Sequence, residues 1–157
     1  MKIGVISDTH GSRADIRRAV SAAGEVDLWL HAGDYSQDAR YLVEVSGKEV
    51  VAVAGNCDGR TEAKIDEFVD IGGKKVWLTH GHRYQAKERC RELTWWAGQY
   101  GADIVIYGHS HIPDISWSGS ILLFNPGSVA HPRGGFPASC GRLEVVDGEA
   151  RAELIYM

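Results

Sequence analysis

Apolar residues in this chain fall in short runs that stop abruptly at polar, glycine-bearing turns. Lys2 to Ile6 reads as a buried strand that ends at Ser7-Asp8-Thr9-His10-Gly11. Val26 to Leu30 is a second run, ended by His31-Ala32-Gly33-Asp34, and Val50 to Ala54 a third, ended by Gly55-Asn56-Cys57-Asp58. Helical segments separate them. Ser12 with Asp15 has the spacing of a capping box and predicts a helix through Ala23, closed by Gly24. A second helix is predicted over Gln37 to Val45. Strands alternating with helices imply βαβ units and a largely parallel sheet.

Beyond Ala63 the pattern changes. Phe68 to Ile71 and Lys75 to Thr79 flank Gly72-Gly73, a hairpin signal. A helix is predicted over Lys87 to Tyr100, stopped by Gly101, and a strand over Asp103 to Tyr107, ended by Gly108-His109-Ser110-His111. Short antiparallel strands are predicted at Asp114–Trp117, Ile121–Phe124, Arg142–Val146 and Ala150–Tyr156. Asn125-Pro126-Gly127-Ser128 and the Gly/Pro-rich stretch from His131 to Pro137 interrupt them. There is no internal repeat and no linker, so residues 1–157 read as one α/β domain with mixed sheets.

Composition narrows this picture in a few places. With 44% hydrophobic and 24% charged residues in 157, the chain is an ordinary globular protein, which excludes disorder and collagen-like repeats. The formal charge of −4 offers no global basic field for nucleic acid or an anionic membrane. The longest purely apolar run, Val50 to Ala54, is far shorter than the ~20 residues of a membrane span. No signal-peptide pattern follows Met1, and Cys57, Cys90 and Cys140 are odd in number and widely spaced, so free thiols in a reducing cytoplasm are expected.

The informative excess is seven histidines and nineteen glycines, because of where they fall. Asp8/His10, Asp34, Asn56, His80/His82 and His109/His111 each sit just after a predicted strand. Open α/β sheets place ligands outside the carboxyl ends of their strands, so five loops would deliver these side chains to one edge. Taken singly, each reads as a turn or cap residue or a hydrogen-bonded pair. Together they offer mixed oxygen and nitrogen donors of the kind divalent transition metals accept. Glycines 11, 33, 55, 81 and 108 keep those turns tight.

The ordered set Asp8-Thr9-His10, Gly33-Asp34, Gly55-Asn56-Cys57-Asp58, Thr79-His80-Gly81-His82, Gly108-His109-Ser110-His111 and Asn125-Pro126-Gly127-Ser128 resembles the calcineurin-like metallophosphoesterase superfamily. It is most similar to the small bacterial and archaeal phosphodiesterases, whose family also holds a eukaryotic retromer subunit. The resemblance implies a sandwich of two mixed β-sheets flanked by helices. It also implies two divalent ions, one on Asp8, His10, Asp34 and His111, the other on Asp34, Asn56, His80 and His109. A metal-bridging hydroxide would be the nucleophile. Mn²⁺ is favoured by the resemblance, with Fe²⁺, Zn²⁺, Ni²⁺ and Co²⁺ as other ions the donors accept.

One position departs from many superfamily members. Cys57 stands where they carry a histidine that protonates the leaving group, as it does in the phosphodiesterase branch. Cys57 and His82 are therefore the candidate catalytic side chains, His82 equally as a phosphate contact or a hydrogen-bonding support. Asp58 would orient Cys57 or Asn56, or cap a helix before Thr61. His31 and His131 read as structural, Asn125 and Ser128 as shaping the adjoining loop, and Arg60 and Arg83 as solvated charges or phosphate contacts. Trp95 and Trp96, adjacent on a helix, cannot share a face; one belongs to the core, the other to a possible homo-oligomer contact.

The leading expectation is hydrolysis of a small phosphodiester. A non-catalytic protein-binding scaffold would have no need of intact ligands, yet every ligand position here is filled. A nuclease acting on polymers would want a basic track that the sequence lacks.

Overall fold

The computed structural model describes residues 1–84 and 90–157. Its first half follows the predicted alternation: β1 (Lys2–Ile6), α1 (Arg13–Ala23), β2 (Leu28–His31), α2 (Asp38–Ser46) and β3 (Val50–Ala52). Ser12 caps α1, its side chain accepting from Asp15 N–H at 3.4 Å and donating to the Asp15 carboxylate. Next come β4 (Asp66–Ile71), β5 (Lys74–Thr79), a 3-10 turn at His82–Tyr84, α3 (Arg91–Tyr100), β6 (Ile104–Ile106), β7 (Asp114–Ser118), β8 (Ile121–Asn125), β9 (Ser139–Val146) and β10 (Glu149–Tyr156). The predicted start of the third helix at Lys87 lies outside the described residues.

Two five-stranded sheets result, ordered β10-β9-β1-β2-β3 and β4-β5-β6-β8-β7. The first is parallel from β1 through β2 to the edge strand β3 and antiparallel on the β9 and β10 side; the second has parallel β5, β6 and β8 at its centre and antiparallel β4 and β7 at its flanks. Their inner faces meet in one apolar layer, where Ile3, Val5 and Leu30 pack with Val76, Leu78, Ile104, Ile106 and Phe124. On the outer face of the first sheet, Ile16, Ala19, Leu42 and Trp29 pack α1 and α2. Leu93 and Ala97 of α3 cover Trp77 and Val105 of the second. The α/β fold is thus a sandwich of two mixed sheets flanked by helices. Trp96 packs into that last cluster, while Trp95 is exposed.

Several boundaries differ from the sequence reading. β2 begins at Leu28 rather than Val26, because the ladder with β1 opens at Ile3↔Leu28. β3 ends at Ala52, since the next residues turn to Lys64, Ala54 N–H donating to Lys64 O at 2.7 Å. β9 begins three residues before the predicted Arg142, at Ser139, which pairs with Tyr156. Periodicity could not place these ends, because partner strands far along the chain determine them. Gly72 (φ 59°) and Gly73 (φ 82°) form the expected two-residue hairpin, left-handed at both positions.

Candidate metal centre

The parallel strands β1, β2, β3, β5 and β6 bring their carboxyl ends to a single edge, and the turns beyond them carry the predicted side chains. The backbone of those turns is unusual. Eight described non-glycine residues have positive φ, and five are predicted ligands: Asp8 (53°), His10 (46°), Asp34 (57°), His109 (68°) and His111 (60°). Each left-handed residue costs on the order of 1 kcal/mol, so the strain is concentrated where function is expected.

Hydrogen bonds hold each side chain in orientation. Asp8 Oδ2 accepts from Ser7 Oγ at 2.7 Å and from His109 N–H at 3.2 Å, leaving Oδ1 to face the site. Ser128 Oγ donates to the Asp8 carbonyl at 2.8 Å. Asp34 Oδ1 accepts from the Cys57 N–H at 2.8 Å. His80 Nδ1 lies 2.7 Å from Ala32 O, and His111 Nδ1 2.6 Å from His131 O. A carbonyl can only accept, so both rings carry a proton at Nδ1 and turn Nε2 inward, the atom left to bind an ion.

Those inward atoms converge. His111 Nε2 is 3.1 Å from Asp8 Oδ1; His80 Nε2 is 3.3 Å from Asp34 Oδ1 and 3.1 Å from Asn56 Oδ1; His10 Nε2 is 3.8 Å from Asp34 Oδ2. Ligand atoms of Asp8, His10, Asp34 and His111 all lie within 4.8 Å of one another, forming a metal-binding group. The ring of His109 is 5.2 Å from that of His80. His10 Nε2 is buried without a hydrogen-bond partner among the described residues, and the buried Asp8 Oδ1 faces histidine rings, His111 Nε2 at 3.1 Å and His80 Nε2 at 3.8 Å. A cation between them would satisfy both, so the residues present fit a divalent ion.

Electrostatics agree with a site built for positive charge. Burial would raise the Asp34 pKa, but the His80 hydrogen bond and charge and the Cys57 donor outweigh it and keep the carboxyl ionised. Burial likewise lowers the His80 pKa, yet its bond to Asp34 and the charges of Asp8 and Asp34 leave it raised. The His111 pKa is raised against burial in the same way, by Asp8. The His10 pKa is lowered, burial prevailing over both carboxylates.

The two candidate catalytic side chains stand at the rim. The His82 ring is 5.5 Å from His80 and 6.2 Å from His109, with its pKa lowered by burial and by the His80 charge. Cys57 is exposed; burial of its sulfur and the nearby Asp34 push the thiol pKa up, so it gives up a proton less readily. Its backbone N–H donates to Asp34 Oδ1 at 2.8 Å, and its thiol is a second hydrogen-bond partner of that carboxylate.

Supports that the sequence did not reveal surround the ligands. Gly33 N–H donates to His31 Nδ1 at 3.1 Å, so His31 Nε2–H faces Thr9 Oγ1 at 3.0 Å, and that hydroxyl donates to Asp38 Oδ2 at 2.6 Å. Asp38 Oδ2 also accepts from Gly11 N–H at 2.8 Å, pinning the Asp8–His10 turn to α2. Asp58 caps no helix. Its Oδ1 accepts from Ser36 N–H (2.7 Å) and Ser36 Oγ (2.8 Å), and its Oδ2 from Gly55 N–H (2.8 Å), tying the turn after β2 to the turn after β3. Asn125 donates to Gly108 O at 3.0 Å and accepts from Gly127 N–H, bracing the histidine turn.

Gly55 makes the closest glycine approach to a proposed ligand. A Cβ there would run into the Asp34 carboxylate. Gly55→Ala is therefore expected to destabilise the fold by about 1–3 kcal/mol and to weaken metal binding more than tenfold. Thermal unfolding and metal titration of the variant check both effects.

Residues 1–148 match the calcineurin-like phosphoesterase superfamily domain. The chain belongs to that superfamily. Among its phosphoesterase relatives, phosphodiesterase YfcE of Escherichia coli K12 is 38% identical, the match covering 92% of this chain and 88% of YfcE. A conserved Streptococcus pneumoniae protein, described as a predicted phosphoesterase, has the same phosphoesterase fold at TM-score 0.84 and 30% identity, over 99% of this chain and 88% of its own. Entamoeba histolytica Vps29 superposes at TM-score 0.77 over 99% of this chain and 98% of its own; at 23% identity that likeness speaks for the fold alone.

Proposed function

We propose that the chain hydrolyses small phosphodiesters with two divalent ions, Mn²⁺ favoured over Fe²⁺, Zn²⁺, Ni²⁺ or Co²⁺. The observation that carries this reading is the convergent set of buried donor atoms, with His10 Nε2 lacking any hydrogen-bond partner among the described residues and Asp8 Oδ1 facing only histidine rings there. Asp8, His10, Asp34 and His111 would hold one ion; Asp34, Asn56, His80 and His109 the other. When bound, such ions lower the pKa of water and offset charge on a phosphoryl group displaced in line.

This chain's residues prepare that chemistry. Ala32 and His131 carbonyls fix His80 and His111 with Nε2 inward, and the Cys57 N–H keeps one Asp34 oxygen in place. Five of the seven proposed ligands are neutral, so bound ions keep a surplus of positive charge for an anionic phosphate. His82 stands beside His80 and His109 as a phosphate contact; of the two proposed leaving-group donors, Cys57 has a raised thiol pKa and His82 a lowered one.

The likeness to YfcE, a phosphodiesterase, supports a diester over a monoester. A net charge of −4 supports a small substrate over a nucleic-acid polymer. No two described cysteines are joined by a disulfide, and among the described residues no helix is long and apolar enough to cross a membrane; a cytoplasmic setting fits both. The exposed Trp95 marks the face for a homo-oligomer contact.

Asn56→Ala and His109→Ala are expected to lower metal-dependent turnover of a generic aryl phosphodiester by on the order of 10²-fold or more. Undiminished turnover in both variants would overturn the site, and failure of the purified chain to acquire metal would favour a scaffold.

A further inference from the structure

A cleft of about 600 Å³ opens beside the proposed metal centre, lined by Ser36, Gln37, Arg40, Arg60, Thr61 and Glu62 among others. A smaller lobe of about 200 Å³ shares Ser36, Gln37, Arg60 and Thr61 with it and continues to Tyr35 and Cys57. Those last two residues directly follow Asp34 and Asn56, so the combined cleft runs from the ligand turns outward to two arginines. Its size suits a nucleotide-sized ligand.

Its walls are fixed, while its positive groups are uncommitted. Ser36 Oγ lies 2.9 Å from Thr61 Oγ1, and Asp58 secures Ser36 from below. The Asp58 carboxylate is thereby occupied by Ser36 and Gly55 donors. The Arg40 and Arg60 guanidinium groups are exposed and have neither an ion pair nor a hydrogen bond among the described residues. Glu62, at the same rim, supplies one negative charge against these two. Planar guanidinium forks suit a phosphate, which they bind with paired hydrogen bonds.

We propose that this cleft binds a second phosphate of the substrate, so that the preferred diesters carry a terminal phosphate on one arm. A 5′-phosphorylated dinucleotide represents the class, in contrast to a diester charged only at the scissile group. The inference rests on the phosphodiesterase reading above and adds where the non-reacting arm lies. Two arginines hold one phosphate; a polymer would need a continued track of cations.

The test compares two dinucleotides that differ only in a 5′-terminal phosphate, with the manganese-loaded full chain. The phosphorylated one is expected to show a KM lower by about tenfold or more, the scale of a charge-assisted hydrogen-bonded pair. In the Arg40→Gln/Arg60→Gln double variant the two KM values should come within about twofold of each other. Wild-type protein without that preference, or a preference that survives the double substitution, overturns the proposal. Absence of turnover for both dinucleotides and for an aryl phosphodiester sinks the phosphodiesterase reading instead. The cleft is then read by calorimetric titration of inorganic pyrophosphate into the metal-free chain. A Kd raised about tenfold by the double substitution supports the cleft; an unchanged Kd overturns it.

Discussion

Replacing Asp34 by Asn is expected to lower metal-dependent turnover of an aryl phosphodiester by about 10³-fold or more, with the fold retained. Asn has the shape of Asp and tolerates the left-handed backbone found at this position (φ 57°). Its side-chain oxygen can still accept the Cys57 N–H that Asp34 accepts at 2.8 Å. What disappears is the negative charge that faces His80 Nε2 at 3.3 Å from one oxygen and His10 Nε2 at 3.8 Å from the other. Asp8 Oδ1 also faces both groups, 3.1 Å from His111 Nε2 and 3.8 Å from His80 Nε2, but Asp34 alone is proposed as a ligand of both ions; the several kcal/mol of charge stabilisation attributed to a bound ion amount to about three decades in rate. Circular dichroism should be unchanged while metal content falls by at least one ion per chain. Turnover within tenfold of wild type would mean that Asp34 does not serve both ions.

How much of this was legible beforehand follows from the range of the interactions. The positions of Asp8, His10, Asp34, Asn56, His80, His109 and His111 could be read because each lies immediately after an apolar run, and a parallel sheet sends all such positions to one edge. That argument needs only local pattern plus one topological rule. The Thr9–His31–Asp38 chain of hydrogen bonds and the Asp58 brace left no such trace. Thr9 and Asp38 are 29 residues apart, and neither stands out from any other capping or turn residue. Asp58 invited a helix-cap reading because its real donors, on Ser36 and Gly55, become neighbours only when β2 and β3 pair. Strand ends escape local pattern for the same reason: β9 starts where β10, later in the chain, offers Tyr156 as a partner.

The left-handed ligands could not be anticipated either, since Asp and His carry no compulsory signal for that conformation. Their placement has a physical sense. A residue with positive φ reverses the chain direction within a single step, which lets Asp8 and His10, or His109 and His111, aim inward from a turn only a few residues long. Glycines supply the space rather than the reversal at Gly55 and Gly108, where an added Cβ would strike Asp34 or Ser7 and Asp8. Glycine excess and histidine excess in the composition are therefore two aspects of one arrangement, in which bare backbone lies under charged side chains.

Metal-induced stabilisation is expected to grow as pH rises from about 6 to 8. Burial would depress the His80 and His111 pKa values, but the Asp34 contact in one case and the Asp8 contact in the other leave both raised in the metal-free fold. A histidine with a raised folded pKa contributes stability that is fully present below its unfolded value and is lost as pH climbs through the folded one. A metal ligand must be the neutral ring, so at low pH an incoming ion competes with protons on both histidines. His10, whose pKa is lowered, is already neutral and adds nothing to that competition. Below the raised pKa values, binding should release two protons, and apparent affinity should rise by up to about 100-fold per pH unit. With metal fixed at about 100 times its Kd at pH 8, the stabilisation is about 2.7 kcal/mol, or roughly 5–10 °C in Tm for a chain of this size. Tm measured with and without Mn²⁺ at several pH values gives the difference. A gap that stays flat or narrows as pH rises would exclude competition between protons and metal at His80 and His111.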